Sequence, residues 1–206
     1  MAYRYFYDCE FIEDGRTIDL VSIGVVDEQG REFYAVSTEF DDRPALPWVR
    51  RNVLDRLPSP SEPVWRSRAR IRDELGEFLL EPIRDKPGEE LELWAWYAAY
   101  DHVALAQLWG RMPDLPRGIP RFTKDLRQLW DDLGRPQLPS VADRHDALVD
   151  ARHNLARWHA MAEARNAEAR NAEARNAEAR NAEARDAVAQ SQGAGEARSA
   201  ASEQPA

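Results

Sequence analysis

From Glu163 the chain repeats one five-residue unit, Glu-Ala-Arg-Asn-Ala, and then closes on QSQGAGEARSAASEQPA. Five residues turn an α-helix through about 500°, so successive units carry their alanines to different sides and no apolar stripe forms. Each unit is charge-neutral. Arg165 and Glu168 stand three apart, as do Arg170 and Glu173, which allows only weak ion pairs. A pentad is neither a heptad nor a period of about 20–50 residues, so it builds neither a coiled coil nor a solenoid. The expectation for residues 163–206 is a solvated helical extension running into disorder. Whatever packs a core is confined to residues 1–162.

That body has the material for one domain. All seven tryptophans (Trp48, Trp65, Trp94, Trp96, Trp109, Trp130 and Trp158) precede residue 160, and 43% of the chain is hydrophobic. No apolar run approaches the ~18 residues of a membrane span. The opening MAYRYFYDCE enters a strand-like pattern directly and shows no signal peptide. The single cysteine, Cys9, rules out an internal disulfide framework and a cysteine-based zinc site. A cytoplasmic protein with no membrane association is the expectation. The net charge of −9 excludes a protein that coats nucleic acid by charge alone. It still allows a nucleic-acid enzyme, because bound metal ions supply positive charge locally.

The body reads as mixed α/β. Residues 3–11 are rich in aromatics, residues 17–28 run to a turn at Glu28-Gln29-Gly30, and residues 32–40 follow. These three strands predict an antiparallel meander. Pro44, Pro47, Pro58, Pro60 and Pro63 predict loop in the next stretch. From Trp65 the spacing of Ile71, Leu75, Phe78 and Leu79 predicts a helix. A fourth strand is expected over residues 90–98, a helix from Asp101 through Leu108, and another over residues 122–134. The last helix of the body carries Leu148, Ala151, Leu155, Trp158 and Ala162 at alternating spacings of three and four. A meander followed by helix, strand and helix resembles the ribonuclease-H-like arrangement.

Four carboxylates and one histidine carry the chemistry. Asp8 and Glu10 stand two apart on the first strand and so point to one face. On a central strand, two such acids are costly to bury unless something neutralises them. A divalent cation does so, and hard oxygen ligands suit Mg²⁺ or Mn²⁺. On an edge strand they would simply face solvent. Cys9 points the other way, into the core. Asp101 follows the fourth strand and reads as a helix N-cap, a role compatible with metal binding. Asp150 lies about 100° behind Ala151 and off the apolar stripe, on a face open either to solvent or to a site. His145 falls in the loop before that helix, where it can swing over a site that Asp150 reaches. His102, His153 and His159 have no acidic partner at suggestive spacing and read as structural.

Taken together, Asp-x-Glu on the first strand, Tyr-Asp after a later one, and His-Asp-Ala-Leu-Val-Asp-Ala at residues 145–151 resemble the DEDDh family of 3′→5′ exonucleases. That family includes oligoribonuclease-like and ribonuclease-T-like enzymes and the proofreading exonuclease of bacterial replicative polymerase. The resemblance spans about residues 3–160. The opening Tyr-Phe-Tyr-Asp-Cys-Glu-Phe-Ile-Glu-Asp-Gly and the segment Trp-Ala-Trp-Tyr-Ala-Ala-Tyr-Asp-His are similar to the actinobacterial branch of polyadenylate-specific 3′-exoribonucleases. It implies two Mg²⁺ ions per site, with Mn²⁺ able to substitute. Asp8 would bridge them, Glu10 and Asp150 would complete the nucleophile-side ion's site, and Asp101 would hold the second ion directly or through water. His145 would be the general base, a role histidine suits as the side chain that changes charge near neutral pH. Asp8, Glu10 and Phe11 would lie beside the terminal nucleotide. The substrate would be RNA, cut from the 3′ end to nucleoside 5′-monophosphates, with adenylate a candidate preference and a homodimer expected from similar members. Many members carry Asn where this chain has Tyr97, and Thr where it has Phe11.

Phe11, Trp65 and Trp94 or Trp96 are candidate stacking partners for a base. Trp94 and Trp96 share a strand face and read more naturally as core. Arg66, Arg68, Arg70 and Arg72, spaced two apart on a helix, scatter around its surface and read as a solvated face. Three other functions are weighed against an exoribonuclease: a 3′→5′ DNA exonuclease of the same fold, a non-catalytic RNA-binding or scaffolding module with a degenerate site, and a structural protein whose repeat tail recruits partners; the five intact site residues argue against the second.

Overall fold

The computed structural model describes residues 2–86, 88–140 and 145–201. It divides into two units, Met1–Met161 and Ala162–Ala206. The first unit is built on six strands: β1 (Ala2–Glu13), β2 (Ile18–Asp27), β3 (Glu32–Ser37), β4 (Trp65–Arg66), β5 (Glu90–Ala95) and β6 (Lys124–Asp125). They form one sheet in the order β4-β3-β2-β1-β5-β6. The β1, β2 and β3 meander is antiparallel, while β5 runs parallel to β1, β6 to β5 and β4 to β3. This is the expected mixed α/β sheet with flanking helices. β1 is central, so Asp8 and Glu10 do not sit on an edge.

Side-chain alternation along β1 sorts the core into two layers. Tyr5, Tyr7 and Cys9 point to one face. There they pack with Ile71, Leu75 and Leu79 of α2 (Arg68–Leu80) and Ala98, Ala104 and Leu105 of α3 (Ala98–Ala106). Phe6 points to the other face. It meets Leu126 of α4 (Leu126–Asp132) and Ala151, Trp158 and Met161 of α5 (Ala147–Ala201). Trp94 and Trp96 belong to this second layer. Cys9 is buried in the first, as its position two from Tyr7 requires.

Several boundaries differ from the sequence reading. The proline-rich stretch contains a short helix, α1 (Pro47–Asn52), started by Pro47 at a position where a missing N–H costs nothing. Trp65 begins no helix. It lies in β4, and α2 starts after Ser67, whose hydroxyl accepts the Arg70 N–H. The helix expected over residues 122–134 is confined to Leu126–Asp132, because Lys124 and Asp125 pair with β5. α3 begins at Ala98 rather than at Asp101. Its first amide donates to Asp125 Oδ2 at 3.1 Å, while Asp125 Oδ1 caps α4, so one carboxylate serves two helix starts.

The buried stripe of α5 is rotated from the expected one. Ala147, Ala151, Asn154 and Met161 are fully buried, and Leu148 and Leu155 only in part. A polar side chain therefore occupies a core position, and its Nδ2 donates to Tyr7 O at 3.0 Å. The helix start lies directly on β2. A β-carbon added at Gly24 would stand 2.3 Å from Ala147 O. Gly24 is the register partner of Asp8, so the missing side chain opens the space through which α5 reaches that acid. In the second unit α5 continues through the repeat to Ala201, and its side chains as far as Arg180 are mostly exposed. The last five residues of the expected tail lie outside the described ones. Among the described residues no helix is long and apolar enough to cross a membrane.

Gly24→Ala forces α5 away from β2 and should lower stability by about 3 kcal/mol, at the upper end of overpacking costs. A urea midpoint equal to that of the parent protein would contradict this packing.

Candidate active site

Every acid singled out in the sequence lines one open cavity of about 650 Å³, together with His145. Each arrives on a different device. Asp8 and Glu10 extend from β1 on the α5 side. The β1–β2 register shifts between Glu10 and Phe11, and this irregularity lets consecutive side chains both line the cavity. The β1–β5 ladder ends at Phe6 and Trp94. Past that end the Cys9 amide donates instead to Asp101 Oδ1 at 2.8 Å. Asp101 is therefore no N-cap. It is a nearly buried acid in the first turn of α3, 5% exposed, tied to the strand that carries Asp8 and Glu10.

Asp146 starts α5, accepting the amides of Leu148 and Val149, each at 3.0 Å. His145 lies just before it, as expected, with a left-handed φ of 71°. Its backbone N–H donates to Asp150 Oδ2 at 2.8 Å, so Asp150 reaches back across the helix start and holds the histidine's main chain. Trp48 meets the imidazole edge-on, with ring centroids 4.7 Å apart. Glu10, His145 and Asp150 each offer a ligand atom within 4.8 Å of the others.

The electrostatics follow from crowding. Burial is the largest influence on Asp8, and Asp101, Glu10 and Asp150 push its pKa further up, well above the usual carboxylate range. Arg157 is the neighbour that opposes them. Glu10 is raised to about 8 by burial, then by Asp150, Asp101 and Asp146. Asp101 is raised to about 7, chiefly by burial, against the lowering effect of the Cys9 amide. Without added positive charge these acids cannot all ionise together. Hard oxygen donors beside one imidazole suit small divalent ions such as Mg²⁺ or Mn²⁺, which would replace the protons. The residues present fit that group.

The rim is aromatic. Phe11 stacks on Tyr100, with centroids 5.8 Å apart and planes 13° from parallel, and both line the cavity. Trp48, Tyr97 and Trp96 line it as well. Trp65 and Trp94 do not. Trp65 packs on Phe40 and donates its indole N–H to Pro58 O, while Trp94 turns toward Glu92 and Lys124. Arg66, Arg68, Arg70 and Arg72 are all engaged in ion pairs with Glu74, Asp19, Glu74 and Asp73 respectively. The sequence reading passed over Trp48, Tyr100 and Arg157, and took Tyr97 only as a departure from the pattern of many family members. Arg157 had a signal, since Asp150, Asn154 and Arg157 follow the i, i+4, i+7 spacing of one helix face.

A mixed α/β sheet that gathers four acids and a histidine into one aromatic-rimmed cavity defines a class of compact site built for charge-demanding chemistry on a polar substrate. Comparison makes the class specific. Residues 3–162 match the 3′-5′ exoribonuclease Rv2179c-like domain family, and the chain belongs to it. Two relatives are the 3′-5′ exoribonuclease Rv2179c of Mycobacterium tuberculosis strain ATCC 25618 / H37Rv and the 3′-5′ exoribonuclease MT2234.1 of strain CDC 1551 / Oshkosh. Each is 58% identical over 165 residues, which cover 80% of this chain and 96% of the relative.

The raised acids set a pH dependence. Glu10 and Asp101 release their protons near pH 8 and pH 7 in the folded chain and near pH 4 when unfolded. Between these values the folded chain binds more protons, so its stability falls as pH rises from about 4 to about 8. Melting temperature in EDTA should decline across this window, and saturating Mg²⁺ should flatten the decline. A flat profile in EDTA would contradict the crowding.

Proposed function

We propose that the cavity hydrolyses RNA from its 3′ end, releasing nucleoside 5′-monophosphates, by the cation-assisted chemistry of DEDDh exonucleases on a ribonuclease-H-like sheet. The reaction class is supported by membership of a 3′-5′ exoribonuclease family. The observation that carries the site assignment is the convergence of Asp8, Glu10, Asp101, Asp150 and His145 on one cavity.

Asp8, Glu10, Asp101 and Asp150 would hold two divalent cations. Bound there, such ions lower the pKa of a water and offset charge on the phosphorus centre and the leaving oxygen. The protein's own groups do the rest. His145 takes the proton of the attacking water at a ring nitrogen. The edge of Trp48 limits where that ring can go. Phe11 and Tyr100 offer flat apolar surface to the terminal nucleotide, on which the bicyclic ring of adenine stacks over more area than a pyrimidine does. Asp101 keeps its position because the Cys9 amide fixes one of its oxygens. A cytoplasmic homodimer belongs to the same reading, and light scattering on the purified chain tests the dimer.

RNA and matched DNA oligonucleotides labelled at either end should separate the substrate classes. RNA should shorten from the 3′ end with Mg²⁺ or Mn²⁺ and stay intact in EDTA, and Asp8→Ala should abolish most activity. Full turnover in EDTA, or faster cutting of DNA, would overturn the proposal. His145→Ala should lower turnover by roughly 10²–10⁴-fold and leave Mn²⁺ affinity near the parent value, because its bond to Asp150 is made by the main chain. Asp150→Ala should weaken both. Equal loss of Mn²⁺ in the two variants would make His145 a ligand rather than the base.

A further inference from the structure

Arg157 is the one arginine or lysine lining the cavity among the described residues. Nothing about it is loose. Its guanidinium lies over the Trp96 ring, 4.1 Å from the centroid. Its Nη1 donates to Asn154 Oδ1 at 3.0 Å. Asn154 is itself fully buried and anchored by its bond to Tyr7 O at 3.0 Å. Tyr7 neighbours Asp8 on β1, so a rigid path leads from the acid-bearing strand through Asn154 to the arginine. On α5, Asp150, Asn154 and Arg157 share one face. The helix that supplies an acid to the cluster also supplies the cation beside it.

The charge balance says what such a cation is for. Two divalent ions would cancel four carboxylates and leave that cluster neutral. A phosphodiester entering it brings one negative charge, and the hydrolytic transition state concentrates more on the equatorial oxygens. A guanidinium presents five N–H donors in a rigid fork suited to phosphate oxygens. Held against an aromatic face by a buried partner, it loses little freedom on engaging one. A surface arginine kept only for solubility needs neither the stack nor the buried asparagine.

We propose that Arg157 is a further catalytic residue, donating to a non-bridging oxygen of the scissile phosphate and holding the product's 5′-phosphate after cleavage. This rests on the exonuclease reading of the cavity. It adds a phosphate clamp from the protein itself to the cation-binding acids.

Arg157→Met keeps apolar bulk against Trp96 and removes the charge. Arg157→Gln keeps a donor for Asn154. In Mg²⁺, both variants should lose about 10²-fold in kcat on a 3′-hydroxyl RNA, and Arg157→Lys should recover part of that loss. Inhibition by adenosine 5′-monophosphate should weaken about tenfold in the Met and Gln variants, while inhibition by adenosine stays at the parent value. This difference separates a phosphate contact from a residue that merely shapes the pocket. Parent-like kcat and parent-like inhibition by the monophosphate would overturn the proposal. So would equal weakening by nucleoside and nucleotide in either variant. Failure of the parent protein to release 5′-monophosphates from the 3′ end would instead overturn the exonuclease reading, and calorimetric titration of adenosine 5′-monophosphate into parent and variants would still report on Arg157.

Discussion

The seam between β2 and the start of α5 is so tight that a single β-carbon at Gly24 would collide with the main chain of Ala147. Much of the site depends on that seam. It sets the height of α5 above the sheet and its rotation about its own axis. The rotation buries Asn154 in place of a leucine and turns Asp150 and Arg157 toward β1. A larger residue beside Asp8 would lift the helix and carry Asp150 away from Glu10.

Gathering the acids opposes folding. Asp8, Glu10 and Asp101 are each pushed above the ordinary carboxylate range by burial and by one another. The two hydrophobic layers on either side of β1 offset that cost, since each buried large side chain contributes roughly 1.5–3 kcal/mol. Tyr5, Tyr7, Ile71, Leu75 and Leu79 in one layer, and Phe6, Leu126 and Met161 in the other, are all fully buried. The acids stay close because the strand and helix ends that bear them are locked by this packing. The strain appears as raised pKa values, which is the condition a cation relieves on binding. The aromatic rim surrounds this charged floor with surfaces that a base can stack on.

The parts legible in the sequence were those set by simple periodicity. Asp8 and Glu10 share a face because strands repeat every two residues, and Cys9 is buried for the same reason. The loop position of His145 followed from its place just before a helix start. Asp101 was found but given the wrong local role, because the start of α3 depends on Asp125, 24 residues further on and invisible to a local pattern. The prolines around α1 hide it from a local pattern, although Pro47 sits where proline is tolerated. Trp48, which α1 carries to the cavity, is hidden with it. The two-residue β4 is too short to show a period. On α5 the expected stripe places Leu148 and Leu155 in the core, whereas the contact of Ala147 with Gly24 rotates the helix and buries an asparagine that pairs with Tyr7. Both are tertiary contacts that no local pattern shows, and they decide which side chains face the cavity.

The central claim is that the four acids exist to hold cations beside a phosphate. The most direct measurement is anomalous scattering from crystals of the protein grown with Mn²⁺ and adenosine 5′-monophosphate. The account predicts two manganese peaks in the cavity, both in contact with Asp8, one also with Glu10 and Asp150 and the other with Asp101 directly or through water. The monophosphate's phosphate should lie against the pair. No manganese in the cavity, or a single ion bound without Asp8, would contradict it.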